Sequence, residues 1–303
     1  MNKVKKNCEK TIKIIVKILT VLLVALMFVY TATLVFPIIW MLVNSLKDPI
    51  DYYLSSSLSF PTSVRWQNFA DVFEVITYAV DTPAGRLEYN IFWMAYYSLL
   101  YAVGTGLYSV ITITFTAYAI GRYKFWLTKA LYAIGLAVMI IPFVTDGGAG
   151  LLLKKQLGIY DNMLLLILTS GGCIFTGQYF FIMVAHFRAL DKDYADAAAI
   201  DGASEWTIMT RIMIPLSFPL MSVIFVLGFT AAWNNYSTFL FYLPSYANLS
   251  LGIYTFQLTA PLKGYTPPHI LAGFLVVAIP IIVLYVLSRK LMAQNLTIGG
   301  LKG

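Results

Sequence analysis

Residues 191–215 read Asp191-Lys192-Asp193-Tyr194-Ala195-Asp196-Ala197-Ala198-Ala199-Ile200-Asp201-Gly202-Ala203-Ser204-Glu205-Trp206-Thr207-Ile208-Met209-Thr210-Arg211-Ile212-Met213-Ile214-Pro215, a charge-dense segment set between charge-free stretches. Four alanines, at 195 and 197–199, favour helix, and Asp191 or Asp193 can cap its start. Gly202 suits the position just past a helix end, where a left-handed backbone is cheap only without a Cβ. Ser204 can cap a second short helix running into Pro215. Two short helices joined by a glycine elbow are expected, with small, alanine-rich exposed faces that another protein can approach closely.

The remainder of the chain places that elbow beside a membrane. Of 303 residues 59% are hydrophobic and 12% charged, and the mean hydropathy is +0.76; soluble domains carry about twice that charge fraction. A hydrocarbon core about 30 Å thick needs about 20 apolar residues per helix. Charge-free runs of suitable length lie at 18–46, 89–121, 130–145, 162–187, 212–262 and 264–288. The expected fold is an all-α membrane protein of six transmembrane helices spanning 18–290, with a basic tail at 1–17 and a second tail at 291–303. The third run reaches membrane length only if Asp146 sits at its far end beside Gly147 and Gly148. The fifth exceeds one helix, and Pro244 and Pro261 divide its second half into an apolar outer loop.

Basic residues favour the cytoplasmic side. With the amino terminus inside, inner segments hold fifteen of the 21 Lys and Arg, leaving outside only Lys47, Arg65, Arg86, Lys154, Lys155 and Lys263. Both termini and the loop at about 188–215 are therefore expected in the cytoplasm. The basic pI reflects topology and contact with anionic membrane lipid, not nucleic acid. The first run, 29 residues without charge or an Ala-x-Ala site, exceeds a signal-peptide core and reads as a retained helix. Cys8 and Cys173 fall apart in this topology and read as free thiols.

The outer loop at about 47–89 is the one extramembrane stretch large enough to fold on itself, and 66–73 fits a short amphipathic helix. No Gly-Lys dipeptide occurs anywhere, so a P-loop is excluded and ATP must be hydrolysed by another chain. The runs lack the buried charge clusters of ion-coupled carriers. His186 and His269 stand without ligand-spaced companions and read as interfacial polar residues, so no metal, cofactor or catalytic residue is expected. Trp233-Asn234-Asn235-Tyr236 sets two amides in apolar surroundings. They bridge helices or line a substrate path, where aromatic faces and amides suit sugars.

The segment Asp196-Ala197-Ala198, three residues, Gly202, nine residues, Ile212-x-Ile214-Pro215 resembles the "E-A-A, three, G, nine, I-x-L-P" loop of ABC importer permeases. Four further stretches are similar to the carbohydrate-type branch: Pro37-x-x-Trp40-Met41-x-x-x-Ser45-Leu46-Lys47, Ala117-Tyr118-Ala119-Ile120-Gly121-Arg122-Tyr123-Lys124-Phe125, Leu157-Gly158-Ile159-Tyr160-Asp161-Asn162, and the tail Leu296-Thr297-Ile298-Gly299-Gly300-Leu301-Lys302-Gly303. The resemblance implies a type I ABC importer permease fold in a prokaryotic plasma membrane, moving a sugar or oligosaccharide by alternating access. It implies four partners: a second permease subunit, two cytoplasmic ATPase subunits that carry ATP and Mg, and an extracytoplasmic sugar-binding protein. By position, Asp196, Ala197, Ala198, Gly202, Ile212 and Pro215 would form the ATPase-coupling surface, and Gly299, Gly300 and Lys302 would reach the ATPase. Asp196 departs from the family's Glu by one methylene. A carrier or channel working alone, and a scaffold without transport, are the alternatives.

Overall fold

The computed structural model describes residues 2–82, 85–140, 148–170 and 177–293, with side chains in 12–80, 85–140, 148–169 and 177–292. Asp146, Gly147, Cys173, the side chain of Cys8 and the tail residues Gly299, Gly300 and Lys302 lie outside those residues. The chain divides into two units, 1–72 with 260–276 and 73–259 with 277–303.

The first unit begins with α1 (Asn2–Ser45), one helix that carries the basic tail on its first turns and is exposed along its apolar length. An apolar helix of this kind, exposed all round, is stable only in hydrocarbon. Its end is tied into the following loop by side chains. Lys47, fully buried, donates from Nζ to Ser56 O at 2.8 Å, Ser55 Oγ at 3.2 Å and Ser59 Oγ at 3.3 Å, which uses all three ammonium protons. Asn68 Nδ2 donates to Ser45 O and Lys47 O at 2.8 and 2.9 Å. Arg65 pairs with Asp48 at 2.9 Å; the Ile50 N–H and then the guanidinium hold the Asp48 carboxyl below its usual range. Two short helices follow, α2 (Pro49–Leu54) and α3 (Gln67–Val75), the latter covering the expected amphipathic segment. The second part of this unit holds a 3-10 turn, Pro261–Lys263, and His269, whose Nε2 lies 3.4 Å from the Asp71 carboxylate.

The second unit opens with an antiparallel hairpin, β1 (Tyr78–Thr82) and β2 (Gly85–Tyr89), pairing Tyr78 with Tyr89 through to Thr82 with Gly85. The described residues are otherwise helix and loop, so the all-α expectation holds apart from this hairpin, which a charge-based scan for spans does not test for. The helices are α4 (Ile91–Arg122), α5 (Trp126–Ile140), α6 (Gly148–Gln156), α7 (Met163–Ser170), α8 (Gln178–Ala189), α9 (Asp193–Ile200), α10 (Glu205–Ile208), α11 (Ile214–Trp233), α12 (Tyr236–Tyr242), α13 (Leu249–Thr259) and α14 (Pro267–Ala293), which starts in the first unit. Among the described residues four stretches are long and apolar enough to cross a membrane: Ile12–Ser45, Ile91–Arg122, Glu205–Trp233 and Pro267–Met292.

Helix α4 is the axis of this unit, packed on α7, α8, α11 and α13. Small residues set the spacing, as expected where close van der Waals packing, not water exclusion, joins helices. A Cβ on Gly121 would stand 3.0 Å from Phe187 Cβ and 3.4 Å from Val184 O, and one on Gly106 would meet the Phe225 ring at 3.0 Å. Several hydroxyls inside these helices bond back one turn, Thr105 Oγ1 to Tyr101 O at 2.7 Å and Ser217 Oγ to Met213 O at 2.8 Å, which satisfies their donors within the helix.

Replacing Lys47 with Met should cost about 1–2 kcal/mol, since its three acceptors lose their donor but can partly turn to water. The check is thermal unfolding in detergent together with hydrogen exchange, and faster exchange should be confined to the loop at 55–59.

A glycine elbow anchored on the end of the central helix

The expected pair of short helices is present. The Asp191 carboxylate accepts from Asp193 N–H at 3.2 Å at the start of α9. The helix closes with Gly202 N–H to Ala199 O and Ala203 N–H to Ala198 O, both at 3.0 Å, the paired bonds of a Schellman motif. Gly202 has φ +83°, and a Cβ there would meet nothing within 4 Å; glycine is required by backbone conformation, not by space. Ser204 Oγ accepts from Thr207 N–H at 3.3 Å and so starts α10.

Pro215 does not end this second helix. Met209–Met213 forms a π turn in which Ile214 N–H reaches Met209 O, and α11 continues with Pro215 in its first turn. Proline removes one backbone donor and crowds the carbonyl a turn earlier; the wider turn accommodates both within one helix. The corresponding span runs Glu205–Trp233, starting seven residues before the charge-free run, because Glu205, Thr207 and Arg211 ride on its first turns.

The loop is held to the end of α4. Ala195 is buried in a cluster with Tyr118, Phe187, Met209 and Met213. Trp206 stacks on Phe115 with centroids 6.1 Å apart and planes at 14°. Arg122 pairs with Asp196 at 3.3 Å, and Tyr123 OH donates to Glu205 at 2.8 Å. Desolvation first, then that carboxylate, push the Tyr123 phenol far above its ordinary value, so it stays a donor. The sequence reading missed these anchors; Arg122 and Tyr123, with acids at 196 and 205, were the available signal.

Of the six residues assigned by position to coupling, Asp196, Ala197, Gly202 and Pro215 are exposed, whereas Ala198 and Ile212 are half-buried. Ala198 packs against the same buried cluster as Ala195. The outward apolar groups are instead Ile200, 87% exposed, with Tyr194 and Trp206. The elbow is a protruding knob of small and apolar side chains on a base fixed to α4.

In the second candidate region, Trp233 to Tyr236, the four residues have separate places. Trp233 is buried, stacks on Phe229 at 5.6 Å and donates from Nε1 to Val277 O at 3.2 Å. The two asparagines break the helix: Asn234 ends α11, and Asn235 Oδ1 accepts from Thr238 N–H at 3.0 Å to start α12. Tyr236 stacks on Tyr254 at 4.4 Å. Only Asn235 of the four lines the neighbouring cavity of about 690 Å3, whose wall also includes Tyr101, Thr105, Ser109, Lys154, Tyr179 and Tyr242. Lys154 Nζ lies over the Tyr242 ring at 4.1 Å. The segment that follows is not a solvated loop, since Phe239, Leu243, Ala247, Leu249 and Leu251 are buried. His186 Nε2 lies 3.2 Å from Ser217 Oγ. Among the described residues no cluster of His, Cys, Asp and Glu forms a metal site.

Comparison with known proteins places this geometry. Residues 111–294 match the family described as binding-protein-dependent transport system inner membrane component. The chain is 28% identical over 276 residues to the galactooligosaccharides transport system permease protein GanQ of Bacillus subtilis, covering 89% of this chain and 91% of that protein. It is 25% identical over 288 residues to the maltose/maltodextrin transport system permease protein MalG of Escherichia coli K12, covering 92% and 94%. Its fold is shared with a chain in the crystal structure of a bacterial ABC transporter involved in import of the acidic polysaccharide alginate, at a TM-score of 0.70 and 18% identity, covering 90% and 96%.

Replacing Gly202 with Ala should weaken the elbow by about 1 kcal/mol, and Val should cost more, because only conformational strain is at stake. Hydrogen exchange at the amides of Gly202 and Ala203 reports it directly: both should lose protection while the α4 amides keep theirs.

Proposed function

Since this chain belongs to the binding-protein-dependent transport system inner membrane components, we propose that it is the permease subunit of an ABC importer that moves a sugar or oligosaccharide into the cell by alternating access. It would work with a second permease subunit, two cytoplasmic ATPase subunits holding ATP and Mg, and an extracytoplasmic sugar-binding protein. Relatives named for galactooligosaccharides and maltodextrins support the substrate class. The proposed topology has six spans: the four long stretches, one over 130–145 and one over 162–187. Both termini and the elbow lie in the cytoplasm, the side that the basic residues favour.

The observation that carries the proposal is the exposed elbow. Ala197, Ile200 and Gly202 form a protrusion that a cleft can enclose, and Asp196 and Glu205 tie its base to Arg122 and Tyr123 at the end of α4. A movement imposed on the knob is thereby delivered to the helix around which its unit is packed. Closure of the ATPases on ATP would shift the elbow, and with it α4 and the cavity beside α11. The coupling is reciprocal, so a loaded binding protein must favour ATPase closure. In the same scheme Gly299, Gly300 and Lys302 extend towards the ATPase. The cavity supplies hydroxyl, amide and aromatic groups, the set that packs on pyranose faces and bonds their hydroxyls.

Two experiments in proteoliposomes test the reading. Labelled maltodextrin or galactooligosaccharide should enter only when a co-expressed second permease, the ATPases, the binding protein and ATP are all present; uptake by the lone chain would establish an independent carrier instead. Gly202→Leu should leave ATP hydrolysis without transport, or prevent the ATPases from co-purifying, whereas Ser109→Leu, which fills the cavity, should lower uptake with the ATPases still bound. Normal uptake by Gly202→Leu would leave a structural role only.

A further inference from the structure

A second concave surface lies at the Arg122 end of α4. It is a cavity of about 830 Å3 between the end of α4, the start of α5 and the end of α8. Five of its lining residues are cations: Arg122, Lys124, Lys129, Arg188 and Lys192; none is a carboxylate. Arg122 is shared with Asp196 at the rim, and Arg188 lies over the Tyr132 ring at 4.7 Å. Lys124, Lys129 and Lys192 are exposed side chains. The floor is apolar, formed by Ile120, Phe187 and Leu190.

Like charges gathered around one hollow repel one another, and a fold keeps such a cluster most cheaply when an anion fills it. The anion's class follows from position. The cavity opens where the span Ile91–Arg122 ends, the depth of lipid headgroups. Directly beside it Phe125 leads into α5, which begins with Trp126 and Leu127, and Trp126 is 77% exposed; exposed aromatics at a span end mark the membrane–water boundary. Along the same helix Leu136 and Met139, on the face of Lys129 and Tyr132, are exposed, an apolar track beside which acyl chains can lie. An anion site with cations at headgroup depth and a greasy rail leading away from it matches a phospholipid rather than a free ion.

We infer that this cavity binds the phosphate headgroup of an anionic phospholipid. Lys124, Lys129, Arg188 and Lys192 hold the headgroup charge, and its chains lie along α5. The inference needs only that Arg122 closes a membrane span; it is independent of transport and of any sugar.

The test is native mass spectrometry of the full chain released from micelles containing equal phosphatidylglycerol and phosphatidylcholine. Wild type should retain phosphatidylglycerol selectively. Lys124→Gln/Lys129→Gln/Lys192→Gln, all surface changes, should weaken that retention about a hundredfold, while Lys13→Gln/Lys17→Gln/Lys290→Gln, with the same change of charge elsewhere, should not. Equal retention of the two lipids, or equal loss in the two triple variants, would overturn the site in favour of diffuse attraction. Saturable uptake of inorganic phosphate by lipid-free chain, without selective retention of phosphatidylglycerol, would assign it to a free anion. Retention unchanged in the first variant, together with its failure to co-purify the ATPases, would make the cavity a protein contact.

Discussion

A peptide N–H or C=O that faces hydrocarbon has no water to bond, and this constraint orders the structure. The long helices meet it within themselves. Wherever the chain departs from helix between α11 and α13, it imports a side-chain partner. Asn235 caps α12, Ser98 on α4 accepts from Leu249 N–H at 2.7 Å, Asn248 Oδ1 accepts from Leu251 N–H at 2.9 Å, and Asp161 accepts from the Ser245 N–H and hydroxyl. These residues let the chain turn back among its own helices, with Phe239, Leu243 and Leu251 as the apolar fill. The cavity with Asn235 in its wall exists because α11 stops here instead of running on.

Polar groups at the other end of α4 serve a different purpose, and magnitudes separate their roles. The Arg122–Asp196 pair is exposed, with the Asp196 side chain 66% accessible, so it contributes about 0–1 kcal/mol. Trp206 on Phe115 adds about 0.5–1.5 kcal/mol beyond its buried area. Burial of Ala195, Ile208, Met209 and Met213 in the cluster around Tyr118 and Phe187 adds more than either. Apolar contact therefore holds the elbow on α4, and the ion pair adds little to it. The shorter Asp at 196 still reaches Arg122, because the backbone of α9 is already placed by Ala195.

Much of the fold was legible in the sequence, for physical reasons. Absence of charge over membrane length is a property each segment carries alone, so the runs at 18–46, 89–121 and 264–288 coincide with long helices. The elbow was legible because a glycine after a helix and a serine before one act within a few residues. What stayed hidden depends on distant partners. Asn234 and Asn235 carry no charge and so did not interrupt the fifth run. The hairpin at Tyr78–Tyr89 is a pairing between strands. Lys47 counted as an outer charge, although its ammonium is buried on three oxygens. The division of the alanines between inside and outside likewise follows from what α9 lies against.

That division bears on how a motif is read. Position assigned Ala197 and Ala198 alike to a coupling surface, yet on a helix successive residues face about 100° apart and cannot serve one surface equally. Ala198 packs inward with Ala195, three residues before it, while Ala197 faces out with Ile200, three residues after it. Two small residues in succession thus answer two demands, close packing on α4 and close approach from outside. A bulky residue at 198 would lift the elbow from its base, and one at 197 would change only what can approach it.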